Sequence, residues 1–113
     1  MLCIEKPITV EQLRKMAVAT FGDLIKAVVD IEKKIMVVDA PMHADEEKYL
    51  LELGSKQDNL WGINLYPDMK GDDFIEYDSM INVRPRLNNF TRGIDSKNIR
   101  KQIKLIIDRL VTK

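Results

Sequence analysis

The stretch SMINVRPRLNNFTRG, residues 79 to 93, gathers Arg84, Arg86 and Arg92 within nine residues. Guanidinium groups present forked donors that match carboxylate and phosphate oxygens, so the cluster points to an anionic ligand. Asn88, Asn89 and Gly93 supply the turn geometry that a loop carrying such donors needs. A second constellation surrounds His43, the only histidine, with Asp39, Asp45 and Glu46 close in sequence. An imidazole beside a carboxylate can exchange protons near neutral pH, so His43 with Asp39 or Asp45 is a candidate acid–base set. The same carboxylates are oxygen donors of the kind magnesium takes, although nothing in their spacing selects a metal. Zinc is not indicated, because there is no HExxH and no second histidine or cysteine cluster. Neither a GxxxxGK[ST] nor a GxGxxG loop is present, and Ser55, Ser79 and Ser96 sit in nothing like a nucleophile elbow. No cofactor follows from these motifs.

The elements that must position these groups follow from local signals. LCIE reads as a short strand ended by Pro7. Thr9 and Gln12 form a capping box, Leu13, Met16 and Ala17 recur at helical spacing, and Gly22 supplies a stop. DLIKAVVDIEKKIMVVDA reads as a β-hairpin turning at EKK. Pro41 breaks the chain, and HADEEKYLLELG reads as a second helix with acids in its first turn, where the helix dipole favours them. A second hairpin is expected from LWGINLYP, the loop DMKGDD and FIEYDSMINVRP. Ser96 caps a last helix whose stripe is Ile99, Ile103, Ile106, Ile107 and Leu110. The order is β-α-β-β-α-β-β-α in a single domain, residues 1–113. Hairpins imply mostly antiparallel pairing, and three amphipathic helices are layered most simply on one face of the sheet. The expected fold is therefore an α+β two-layer sandwich.

Alternation along strands assigns side chains to two faces. Ile25, Ala27, Val29, Trp61, Ile63 and Leu65 go to the core, with Ile75, Tyr77, Ser79, Ile81 and Val83 beside them. Asp30, Asn64, Tyr66, Asp78, Asn82 and Arg84 fall on the opposite face. Short Asn and Asp are poor strand formers, so their presence there suggests a ligand surface floored by the sheet. Self-association and plain exposure account for the same pattern, since a mixed patch marks interaction without naming a partner. For each arginine the competing explanation is a surface ion pair with an acid elsewhere in the chain.

Composition narrows the class. An apolar fraction of 45% with 32% charged residues fits a globular domain rather than a disordered chain. No apolar run approaches the roughly 20 residues of a membrane span. The first residues lack the features of a secretory signal, and Cys3 is the only cysteine, so a reducing cytoplasm is expected. Charge is uneven: residues 1–83 hold nine Lys and Arg against sixteen Asp and Glu, residues 84–113 nine against two. That asymmetry admits nucleic-acid binding through the C-terminal segment, with Trp61, Tyr66, Phe74 and Phe90 as stacking residues. The absence of net positive charge disfavours it.

The segments AVVDIEKKIMVV, HADEEKYLLELGSKQDNLWGINLYP and IEYDSMINVRP, followed by TRG, carry a resemblance over nearly the whole chain. The chain resembles a family of small prokaryotic proteins classed only as a domain of unknown function. The resemblance implies a stand-alone cytoplasmic domain and assigns no reaction, cofactor or residue role. The expected function is a non-enzymatic binding domain, a homodimer, taking an anionic ligand on Arg84, Arg86 and Arg92, with Asn64, Asn82, Asp78 and Asp30 around it. The alternatives are an enzyme built on His43 and a nucleic-acid binder.

Overall fold

The computed structural model describes all 113 residues, Met1–Lys113. In chain order the elements are β1 (Leu2–Ile4), β2 (Ile8–Thr9), α1 (Val10–Ala19), β3 (Ile25–Asp30), β4 (Ile35–Val38), α2 (His43–Glu52), β5 (Leu60–Leu65), β6 (Ile75–Glu76), α3 (Lys97–Leu110) and β7 (Val111–Thr112). Five strands form an antiparallel sheet in the order β1-β4-β3-β5-β6. A separate parallel pair joins β2 to β7.

Local chemistry explains the boundaries. Thr9 Oγ1 accepts from the Gln12 N–H, and Gln12 Oε1 accepts from the Thr9 N–H, completing the capping box that starts α1. Gly22, at φ +96°, takes the left-handed turn that ends this helix, and its N–H donates to the Ala17 carbonyl. Ser96 caps α3 by accepting from the Ile99 N–H. The hairpin turn between β3 and β4 is held by Asp30, whose Oδ1 accepts from the N–H groups of Glu32 and Lys33.

The α+β class and the antiparallel sheet are as expected, but the layering differs. Leu13 of α1 and Ile103, Ile106, Ile107 and Leu110 of α3 pack against Ala27, Val29, Met36, Val38, Trp61 and Ile63. Leu50 of α2 packs against Val28, Val37 and Leu60, which alternate with the first set and so belong to the other face. The helices therefore enclose the sheet from both sides. The reason lies in β3 and β4, where AVV and MVV are apolar on both faces and neither can be left to water.

The second hairpin is also shorter than its alternation suggests. Only Ile75 and Glu76 pair with β5. Beyond them Met80–Asn82 and Pro85–Leu87 form single 3₁₀ turns. The outer edge of β5 is closed by a side chain. Asn82, fully buried, accepts from the Gly62 N–H at 2.8 Å and donates back to the Gly62 carbonyl at 2.9 Å. One carboxamide thus stands where a neighbouring strand's peptide would. Gly62 permits this approach, because a Cβ there would lie 2.5 Å from Ser79 Cβ. Asn89 secures the loop from beneath, donating to the carbonyls of Asn82 and Gly93 and accepting from the Asp95 N–H.

Candidate functional site

The three arginines do not converge. Arg84 is buried, only 7% exposed, and donates to Glu47 Oε2 at 3.0 Å while its guanidinium lies 5.1 Å from the centre of the Trp61 ring. Burial lowers its pKa and Glu47 opposes that shift. Arg86 forms a two-pronged pair with Asp58 in solvent. Arg92 Nε donates to Asp78 Oδ1 at 2.7 Å. Arg84 and Arg86 thus tie the 78–95 loop to acids of the body, and Arg92 closes the loop on its own first residue, Asp78. Removing them should have unequal effects. Arg84→Met strands Glu47 partly buried and uncovers Trp61, and is expected to cost about 3 kcal/mol in urea unfolding. Arg86→Ala should leave the midpoint essentially unchanged, because its pair is exposed. Equal losses in the two variants would contradict this assignment.

The other sequence candidates separate likewise. Asp30 is buried at the hairpin end of the sheet, accepting from Ser55 Oγ at 2.6 Å in addition to its turn contacts. It pairs across from Leu60, roughly 13 Å along the strand from Asn64, so the two share a face without meeting. Asn82 is committed to Gly62. Asp39 and Asp45 line a depression of about 420 Å³ together with Met1, Lys48 and Glu52. The charges that act on His43 are instead those of Lys26, Asp78 and Arg92. No hydrogen bond joins His43 to Asp39 or Asp45, so the expected acid–base set is not assembled. No group of three or more His, Cys, Asp or Glu side chains converges as a metal site.

A different set of residues does come together, at the head of α2. His43, the first residue of that helix, is buried and donates from Nε2 to the Ile63 carbonyl at 2.8 Å. A carbonyl only accepts, so the proton is on Nε2 and the lone pair on Nδ1. Burial pushes the ring's pKa down, keeping it neutral at pH 7. Beside it Lys26, Asn64 and Glu76 stand directly opposite one another on three adjacent strands. Asn64 Nδ2 donates to Glu76 Oε1 at 2.9 Å and to the Asp78 carbonyl at 3.4 Å. Tyr66 donates its hydroxyl to the same Glu76 Oε1 at 3.0 Å. Asn64 Oδ1 is buried and has no partner. Lys26 enters no ion pair; its ammonium lies 5.4 Å from the centre of the Phe21 ring.

Asn64, Asp78 and Arg92 belong to the surface that the sequence marks as a ligand face, whereas the sequence sets His43 apart with Asp39 and Asp45, and only the fold brings it here. Lys26 and Glu76 stand outside both candidate sets, although a charged residue alternating with core positions in a strand is the signal that marks them. Glu46, one helical turn beyond His43, is a further buried group. Its Oε2 accepts from the Ala40 N–H at 3.1 Å, and its Oε1 has no partner. Desolvation pushes its pKa up to about 9, so it is a neutral acid at pH 7.

Fold and row together define a small α+β domain with a central antiparallel sheet, helices on both faces and a polar row at the head of α2. The chain belongs to the family DUF5674, described as a protein of unknown function, which matches residues 2–110. No curated protein and no solved structure matches it. No helix is long and apolar enough to cross a membrane.

Proposed function

We propose that this protein is a non-enzymatic domain that binds a small anionic ligand on the row at the head of α2. The observation that carries the reading is the Lys26 ammonium, a cation without an acidic partner, set across the strand pair from a buried asparagine with an unused oxygen. Arg92 adds a second cation, a guanidinium part of whose donor fork is free of Asp78. His43 is a neutral wall of the site rather than its acid or base. Arg84 and Arg86 are loop staples and have no part in it.

The test is a calorimetric and thermal-shift panel of small carboxylates, phosphates and amino acids against the full chain. A ligand present at about 100 times its Kd should add roughly 2.7 kcal/mol to stability. Binding that weakens at least tenfold in Lys26→Met supports the reading; a flat panel, or binding indifferent to Lys26→Met, removes it. Light scattering on the same sample reads self-association, for which exposed Met80, Val83 and Phe90 offer apolar surface.

A further inference from the structure

We infer that the ligand of this row is dipolar, a small amino acid or similar zwitterion carrying an ammonium group as well as its carboxylate. The inference rests on the reading of the row as a ligand site and specifies what the site would select.

The row carries opposite charges at its two ends. Lys26 and Glu76 are two strand spacings apart, about 10 Å between backbones, with Asn64 between them. The second pair of charges, Arg92 with Asp78, also sums to zero. A simple anion gains at Lys26 but is opposed by two carboxylates nearby. A dipolar molecule laid along the row meets a favourable charge at each end.

The unused hydrogen-bonding groups agree. Asn64 spends its amide donors on Glu76 Oε1 and the Asp78 carbonyl, which fixes the other atom as oxygen and leaves it without a donor. Glu76 Oε1 receives both Asn64 and Tyr66, so Oε2 is free of protein donors. The free groups at this end are acceptors only. A carboxylate has no hydrogen to give them, whereas an ammonium has three. At the other end the Lys26 ammonium lacks a carboxylate, which the ligand's own would supply. Entry of the ligand requires the flexible Lys26 stem, which faces Asn64 across the strand pair, to turn toward that carboxylate.

The experiment titrates β-alanine, L-alanine, propionate and propylammonium into the full chain by calorimetry, and repeats the series with Glu76→Gln. Glu76 is exposed, so this variant keeps the fold. The expected result is that at least one amino acid binds tenfold or more tightly than propionate and propylammonium, and that Glu76→Gln removes this advantage, with propionate, no longer opposed by that carboxylate, binding at least as tightly as before. Propionate binding as well as the amino acids overturns the dipolar inference and leaves the anion-binding reading standing, as does inorganic phosphate binding when no amino acid does. Amino-acid binding unaffected by Glu76→Gln also overturns it. If no amino acid, carboxylate or phosphate binds at all, both readings fall together.

Discussion

Between pH 5 and pH 9 the protein is expected to lose stability relative to a Glu46→Gln variant by roughly 1.4 kcal/mol for each pH unit. Glu46 is fully buried on the sheet-facing side of α2, where desolvation raises its pKa from an ordinary 4.5 to about 9. In the unfolded chain the carboxyl ionises near its ordinary value. Across the interval between those values the folded state therefore holds a proton that the unfolded state has released. Rising pH then favours the unfolded chain, and the penalty levels off once the folded carboxyl also ionises near pH 9. Below about pH 4.5 both states are protonated and the cost vanishes. Glutamine keeps an acceptor for the Ala40 N–H but cannot ionise. After allowance for the unpaired amide hydrogens it introduces, the variant should be more stable by about 3 kcal/mol at pH 8. His43 does not confuse the comparison: its pKa is lowered by burial, so it costs stability below its ordinary value of 6.5, but it does so equally in both proteins and drops out of the difference. Urea unfolding of both proteins at pH 6, 7 and 8 decides the matter. Parallel profiles would mean that Glu46 is ionised in the folded state, paired with a charge such as Lys26.

The largest single-residue loss is expected at Asn82. Asn82→Asp preserves size and shape but exchanges the donating nitrogen for an oxygen. That nitrogen serves the carbonyls of Gly62 and Arg92, at 2.9 and 3.0 Å. The new oxygen would face both carbonyls in a site closed to water, and its charge would have no partner. An uncompensated buried charge and two broken hydrogen bonds together should cost about 4 kcal/mol or more. Asn82→Ala should be milder, leaving the Gly62 N–H and carbonyl unpaired without added repulsion. Gly62→Ala attacks the same contact from the other side, by driving a methyl against Ser79. Unfolding midpoints that rank aspartate below alanine below wild type would support a carboxamide acting as the missing strand. An unchanged midpoint for Asn82→Asp is incompatible with it.

These two residues also mark what the sequence makes legible. Features set by neighbours within a few positions can be read: the Thr9–Gln12 box, the Gly22 stop, the Ser96 cap and the stripe of α3 all stand where local chemistry puts them. The alternation from Ile75 to Val83 reads as a strand because periodicity records which side chains are apolar. It does not record which backbone is available to pair. Here the partner edge of β5 is occupied by a side chain, so the polar and apolar alternation serves a loop packed edge-on. The same limit applies to charge. Arg84, Arg86 and Arg92 are conspicuous together, yet their partners Glu47, Asp58 and Asp78 lie 37, 28 and 14 positions away. Only the fold discloses that they are spent. The row of Lys26, Asn64 and Glu76 depends on strand register, which alternation alone leaves open.

The parallel pairing of β2 with β7 sets the order of events during synthesis. Ile8 faces Val111 and Thr9 faces Thr112, so the contact closes a loop of roughly a hundred residues. On the ribosome, α1 emerges with its apolar side formed and its neighbour α3 still unmade. Leu13 then waits for Ile103 and Ile107, and the sheet face that both helices share stays uncovered until α3 has emerged. The domain cannot be acquired piecewise from its beginning. It closes in one late step, and a nascent chain stalled before residue 100 would present that face to chaperones.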